Sequence, residues 1–221
     1  LKSFRWPEPG DRFSPALIAA SEVDETCPDG RRDHRMALRV IAGALKGRRL
    51  RTVAGLRTRP TAERTREAVF NILGPTVRRA HVLDLFAGTG AYGIEALSRG
   101  AASALFVEVD REACAVLNRN LQACGVAGPA RVLRWNASRN LNCLRNHEPQ
   151  FQLAFMDPPY GCGLVEPALA HLAHAQCLAP GARLVIEHGS DDPLLQPPEP
   201  YQLRDHRRYG RTLVSFLTYV L

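Results

Sequence analysis

The segment Asp84-Leu85-Phe86-Ala87-Gly88-Thr89-Gly90-Ala91-Tyr92-Gly93 constrains the fold more than any other part of the chain. Gly88, Gly90 and Gly93 stand in G-x-G-x-x-G spacing directly after the apolar run Val82–Phe86. Glycine lets a backbone turn sharply and approach a ligand with no Cβ in the way. Glu108 follows 20 residues after Gly88, at the end of the next apolar run, where a carboxylate can accept hydrogen bonds from ribose hydroxyls. Strand, glycine loop, helix and acid in that order predict a site for a nucleoside-containing cofactor; the alternative is a structural turn with a surface Glu. The spacing admits NAD, FAD or S-adenosylmethionine. Asp84, at the strand end, would repel a pyrophosphate but can take the ammonium of a methionine moiety, directly or through water, which favours S-adenosylmethionine.

The surrounding pattern is β-α alternation. Short strands are predicted at Val82–Phe86, Ala104–Val107, Arg131–Trp135, Phe151–Met156 and Ala182–Ile186. Helices are predicted from the glycine loop to about Arg99, over Arg111–Cys124, around Ser138–Arg145 and over Leu164–Leu178. Two more strand candidates, Tyr201–His206 and Thr212–Val220, close the chain through Tyr209-Gly210. Repeated β-α units imply a mostly parallel sheet with helices on both faces, and a closing pair without a helix implies an antiparallel edge. Upstream, Leu38–Ile41 and Leu45–Val53 read as two short strands. Thr61 reads as the N-cap of a helix over Ala62–Leu73, with Ala62, Val69, Phe70 and Leu73 sharing its apolar face and Arg64 and Arg66 elsewhere.

Charge divides the chain into three. Residues 1–35 carry a net −1, residues 36–79 a net +9 and residues 80–221 a net −1, so the whole +7 excess sits in one block. Such a block is either the footprint of a nucleic-acid binder or a solvated basic face. Arg48, Arg49, Arg51, Arg59, Arg64 and Arg66 are its candidate phosphate contacts. Residues 1–35, turn-rich apart from a possible helix over Pro15–Glu22, read as an extension outside the fold. Residues 36–79 read as a basic N-terminal subregion, and 80–221 as the catalytic domain. No run of about 18 apolar residues appears, so no membrane span is expected. The start has no continuous apolar stretch, so no secretory leader is expected either. The six cysteines form no C-x-x-C pair, which argues against zinc and reads as reduced thiols of a cytosolic protein.

A second motif, Asp157-Pro158-Pro159-Tyr160, follows the run Phe151–Met156. In an open α/β sheet ligands bind beyond the carboxyl ends of the strands, so Asp157 and Gly88 are expected in one crevice. Consecutive prolines stiffen the turn, remove two N–H donors and leave carbonyls pointing outward. A carboxylate beside a fixed carbonyl suits an exocyclic NH2 group, whose lone pair is delocalised into its base ring. Two hydrogen bonds from its N–H groups favour a pyramidal nitrogen and free that lone pair. Tyr160 offers a face for an extruded base. The competing reading is a strand-terminating turn with a core Tyr. His81, His171, His174 and His188 show no ligand spacing, and no metal site is expected. Gly161-Cys162-Gly163 suggests a mobile loop over the base pocket, and Arg207, Arg208 and Arg211 beside Tyr209 are secondary candidates for nucleic-acid contact.

The two motifs together resemble the S-adenosylmethionine-dependent amino-group methyltransferases of adenine N6, cytosine N4 or guanine N2. Residues 38–221 resemble one branch, the bacterial 16S ribosomal RNA guanine-N2 methyltransferases of RsmD type. The resemblance is carried by Arg39–Gly43 with Gly47–Leu50, by Arg59-Pro60-Thr61-Ala62-Glu63-Arg64-Thr65-Arg66-Glu67, and by Phe70-Asn71. Further on it is carried by Leu83–Gly90, Glu95–Ala101, Val107–Asp110, Asn118, Asn120-Leu121, Asp157–Tyr160 and Tyr209-Gly210 with Leu213. It implies a Rossmann-like class I methyltransferase with a seven-stranded sheet, monomeric, cytoplasmic, needing no metal, and acting on ribosomal RNA or an assembling small subunit. Asp157, Pro158, Pro159 and Tyr160 are then the catalytic set. Asp84, Phe86, Ala87, Gly88, Thr89, Gly90 and Glu108 are the cofactor set, joined by Asn136 and Ala137 at the adenine; Asn136 also reads as a helix N-cap. Two rival readings stand beside this one: an adenine-N6 DNA methyltransferase, and a non-catalytic RNA-binding ribosome assembly factor with the same fold.

Overall fold

A computed structural model describes residues 38–53, 60–190, 192 and 196–221. The expectations for residues 1–35 and for Arg59 lie outside these residues. The elements are α1 (Pro60–Leu73), β1 (His81–Leu85), α2 (Ala91–Ser98), β2 (Ser103–Glu108), α3 (Arg111–Cys124), β3 (Ala130–Arg134), β4 (Phe151–Met156), α4 (Val165–Ala175), β5 (Leu178–Gly189), β6 (Tyr201–Tyr209) and β7 (Thr212–Tyr219). They form one seven-stranded sheet in the order β3-β2-β1-β4-β5-β7-β6. The first five are parallel, and β7 is antiparallel to both β5 and β6. This is the Rossmann-like class I methyltransferase architecture the sequence predicts.

Side chains alternate across the strands, so each strand feeds two cores. Val82, Leu153 and Phe155 join α1, α2 and α3 on one face. Leu83, Leu85, Ala154 and Met156 join α4 and the 137–144 segment on the other. Asp84 shares the parity of Val82 and therefore lies on the α2 face. Helix α3 shows why such segments stop where they do. Asp110 caps its start by accepting from the Ala113 N–H at 2.7 Å, and Gly125 ends it in the left-handed region at φ 70°.

Several local expectations are corrected. The two upstream strands reduce to a single Arg39–Arg49 bridge, closed by Val40 N–H to Arg48 O and Leu50 N–H to Leu38 O. Their N–H groups turn instead toward α2. The buried Glu95 carboxylate accepts from Ile41 N at 2.7 Å and Ala42 N at 3.0 Å, and Ser98 Oγ accepts from Leu45 N. Helix α1 begins at Pro60, so Thr61 lies inside it, and Pro at the first helical position costs no hydrogen bond. Ala62 is exposed, while Arg66 is on the buried face with Val69, Phe70 and Leu73, as its i, i+3, i+4, i+7 spacing requires. The helix expected around Ser138–Arg145 is a turn followed by a 3-10 segment, Asn142–Leu144. Its asparagines compete with helix: Asn136 Oδ1 accepts from Ser138 N, and Asn140 Oδ1 from Asn142 N. Helix α4 ends at Ala175 because Gln176 takes φ 51°, and the freed residues start a longer β5.

Candidate active site at the carboxyl ends of β1 and β4

Strand order reverses between β1 and β4, which makes their carboxyl ends the topological switch point of the sheet. Leu85 pairs with Met156, so Phe86–Gly90 and Asp157–Tyr160 leave the sheet side by side. The two sequence motifs therefore do share one crevice.

The glycine loop is held from three sides. Ala87 N donates to Val107 O at 3.1 Å, Gly88 N to Glu108 Oε2 at 2.7 Å, and Gly90 N to Ala87 O at 2.8 Å. Phe86 adopts φ 58°, a left-handed conformation uncommon for a bulky residue. The glycines differ in their reasons. A Cβ on Gly90 would lie 2.2 Å from Leu117 Cδ1, and one on Gly93 would lie 2.2 Å from Phe106 Cε1. These two let α2 close on α3 and β2. A Cβ on Gly88 meets nothing within 4 Å, so that position opens toward space a ligand can fill.

Asp84 is buried under the start of α2, where its Oδ2 accepts from Gly93 N at 2.9 Å and satisfies one of the helix's orphan donors. Burial lifts its carboxyl to about 8, against the pull of the Gly93 N–H and with a further push from Glu108. Glu108 accepts three backbone donors: Gly88 N on Oε2, and Val109 N and Asp110 N, each at 2.8 Å, on Oε1. A carboxylate offers about four acceptor positions, so a ribose diol would share this group with the loop. Asn136 Oδ1 accepts from both Ser138 N and Ser138 Oγ, which leaves its amide N–H groups for a ligand; Ala137 beside it is buried. Between the ends of β2 and β3 lies an open cleft of about 590 Å³, lined by Val109, Arg134, Trp135, Asn136, Arg139 and Asn140. Asn120, on α3, ties this region to the N-terminal segment. Its Oδ1 accepts from Arg51 N, and its Nδ2 donates to Arg51 O and Thr89 O.

Asp157 meets solvent at the crevice floor yet has protein on most sides. Desolvation, then the neighbouring Glu187 and Asp84 carboxylates, push its carboxyl well above the ordinary range. Pro158 is buried and Pro159 exposed. Tyr160 shows its ring, with 38% of the residue exposed, while its hydroxyl is anchored to Glu187 Oε2 at 3.3 Å and Thr212 Oγ1 at 3.1 Å. Behind this turn is a smaller cavity of about 280 Å³ reaching to Leu164, Glu166, His188 and Asp192. Among the described residues no group of three or more His, Cys, Asp or Glu could hold a metal, and no helix is long and apolar enough to cross a membrane.

The basic candidates separate. Arg48, Arg49, Arg51 and Arg64 are exposed. Arg66 is not a surface residue: it is 2% exposed, donates from Nη2 to Arg39 O at 2.7 Å, and faces Glu95, Tyr92, Glu63 and Glu187. Sequence reasoning missed Glu187 and Tyr92 as partners of the site. Tyr92 lies inside the first motif, where the G-x-G-x-x-G spacing assigns it no role. Glu187 carried a signal, an acid ending the apolar run Leu184-Val185-Ile186.

The family model described as conserved hypothetical protein 95 matches residues 38–218. Ribosomal RNA small subunit methyltransferase D of Escherichia coli (strain K12) is 37% identical over 174 residues, covering 79% of this chain and 86% of that one. YlbH of Bacillus subtilis (strain 168) is 36% identical over 178 residues, covering 80% of this chain and 97% of that one. Among solved structures, yhhF from Escherichia coli superposes with a TM-score of 0.72 at 35% identity, covering 84% of this chain and 99% of that chain.

Proposed function

The chain belongs to the conserved hypothetical protein 95 family of methyltransferases, and from that premise we propose that it transfers a methyl group from S-adenosylmethionine to the exocyclic N2 amine of a guanine in 16S ribosomal RNA. The substrate is the RNA or an assembling small ribosomal subunit in the cytoplasm, and the protein acts as a monomer. The observation that carries this reading is the β1–β4 pairing, which brings the glycine loop and the Asp157–Tyr160 turn out of the sheet as neighbours.

The residues present fit the cofactor. Gly88 opens toward ligand space, Asp84 and Glu108 lie on either side of the loop, and the cleft at Val109, Trp135 and Asn136 has room for a purine. When bound, S-adenosylmethionine supplies an electrophilic sulfonium methyl. Asp84 would meet the ammonium of the methionine end, directly or through water, Glu108 the ribose and Asn136 the adenine. Tyr160 stacks on the extruded guanine. Asp157 and the Pro158 carbonyl would accept the two N–H groups of the amine and turn its lone pair outward, and the proton that the nitrogen sheds on methylation would pass to Asp157 or to water. Positioning and fixed dipoles then do most of the catalytic work. Arg48, Arg49, Arg51, Arg59 and Arg64 hold phosphates outside the crevice.

The test is transfer of labelled methyl to naked 16S RNA, assembled small subunits and duplex DNA, followed by nucleoside digestion. N2-methylguanosine in either RNA arm is expected. Label on adenine N6 in DNA, or none on any substrate, refutes the proposal.

A further inference from the structure

Glu187 has no part in the reading above, yet it sits where the two halves of the crevice meet. It follows Leu184, Val185 and Ile186 on β5 and pairs with Val214 of β7, and it is buried. A carboxylate in such a strand is costly unless it is well partnered, and an apolar residue of similar size would often serve stability as well or better. No Lys or Arg among the described residues forms an ion pair with it. Its partners are two phenols from two different elements. Tyr92 OH, in the first turn of α2, donates to Oε1, and Tyr160 OH, from the second motif, donates to Oε2 at 3.3 Å. The same Tyr160 hydroxyl meets Thr212 Oγ1 at the start of β7. The neighbour of Tyr92, Gly93, is the residue whose N–H is held by Asp84. Tyr92 itself stacks on Phe155, at 4.8 Å between ring centroids, so that ring is fixed against β4.

We propose that Glu187 is a positioning residue: its carboxylate fixes the Tyr160 ring as the stacking face for the target base and ties that ring, through Tyr92, to the helix that follows the cofactor loop. The inference rests on the base-methylation reading for the role of Tyr160, but the tie itself is independent of the substrate. A Tyr ring with over a third of its residue exposed would otherwise swing about its χ1, and an extruded base would find no fixed plane. With the hydroxyl held by Glu187 and Thr212, the ring is oriented before the base arrives. Glu187 is also a second anion near Asp157. The groups facing the pair are Tyr160 on the same turn as Asp157, Tyr92 on α2, Arg66 on α1 and Asp84 on β1. Two coupled carboxyls titrate as a pair, so neutralising one moves the step of the other to lower pH.

Two measurements test this. In the first, Glu187→Gln, Tyr160→Phe and the double variant are assayed on the RNA substrate across pH. Expected are a fall of kcat of about tenfold in each single variant with the KM for RNA within about twofold, and a loss in the double variant well short of the product of the two, because the changes share the Tyr160–Glu187 contact while each also alters one other bond. The acid limb of kcat should move to lower pH in Glu187→Gln alone. In the second, tyrosines labelled at Cζ are followed by NMR, the Tyr160 signal being assigned by its loss in Tyr160→Phe. That signal should move in Glu187→Gln with the melting temperature not lowered and cofactor affinity unchanged. An unmoved Tyr160 signal refutes the tie whatever the substrate proves to be. Additive losses of kcat, an unshifted acid limb, or lowered melting temperature and cofactor affinity in Glu187→Gln refute the positioning role. Failure of the unaltered protein to methylate any RNA counts against the base-methylation reading, while the NMR signal still decides the tie.

Discussion

Replacing Asp84 by Asn isolates one buried carboxyl and asks what it does for stability and for the cofactor. The group is fully enclosed, and its carboxyl is lifted from 3.8 to about 8. A folded-state value above the unfolded one means the native protein holds the proton more tightly. Its contribution is therefore complete below about pH 4 and is lost as pH rises toward 8. At roughly 1.4 kcal/mol per unit, the loss reaches about 4 kcal/mol by pH 7 and about 6 kcal/mol above pH 8, as an upper bound. Asn keeps an acceptor for Gly93 N and has no proton to lose. Relative to the unaltered protein, Asp84→Asn should gain stability steadily between pH 5 and 8 in urea melts without ligand. The cofactor adds the second arm. If the methionine ammonium meets Asp84, binding draws the proton off, and calorimetry in buffers of different ionisation enthalpy should report release of about one proton at pH 7. In Asp84→Asn that release should vanish and affinity should fall. Parallel melting curves for the two proteins, or equal proton release, would refute the reasoning.

Asp157→Ala should reduce turnover by about 10²–10³ with a small change in cofactor affinity, since a preorganised contact to the reacting amine is lost; single-turnover assays read this, and survival within a few fold would remove Asp157 from its acceptor role. Gly93→Ala should destabilise by about 1–3 kcal/mol in urea melts despite the better helix propensity of Ala, because its Cβ would lie 2.2 Å from Phe106 Cε1; an equal or higher midpoint would show that the ring can yield. Reversing the exposed Arg48 and Arg49 to Glu should weaken RNA binding and flatten its salt slope by about one to two while leaving cofactor affinity unchanged, as filter binding across a salt series would show. An unchanged slope would move the RNA surface toward the exposed arginines of β6 and its turn, Arg207, Arg208 and Arg211.

Sheet order and the meeting of the two motifs were legible because they follow from long-range regularities. Apolar runs of strand length, a helix between each pair, and glycine punctuation leave few topologies open. What was not legible depended on side chains answering each other across the fold. Arg66 has helical spacing to Val69, Phe70 and Leu73, yet its charge made a surface place the natural reading; the Arg39 carbonyl that accepts from its Nη2, with the nearby Glu95, Tyr92, Glu63 and Glu187, lets it lie inside. The segment 136–145 carries a helix's length but too many asparagines, and local bonds from Asn136 and Asn140 to the chain two residues on outcompete the helix. Residues 38–50 have strand-like composition, but their N–H groups find Glu95 and Ser98 rather than a second strand. In the first and last of these cases the deciding partner is a polar group distant in sequence; in the second it is a local asparagine bond that competes with the helix.

The distribution of charge that results has a consequence for selectivity. The crevice gathers Asp84, Asp157 and Glu187, each with its carboxyl held above the usual range by burial, and two of them raised further by acidic neighbours. The exposed arginines of the 38–53 segment and of α1 lie outside it. In the proposed reading those arginines attract phosphates, and the crevice acids repel them only as they ionise with rising pH. Once ionised, these acids are met favourably by the N–H donors of a base edge and by a cationic cofactor. A neutral or anionic dinucleotide offers no such complement. The same arrangement therefore favours a sulfonium cofactor over NAD and an amine-bearing base edge over one with acceptors alone, and it predicts that the demethylated, neutral thioether product binds more weakly than the sulfonium by a margin that grows as pH rises and the crevice acids ionise.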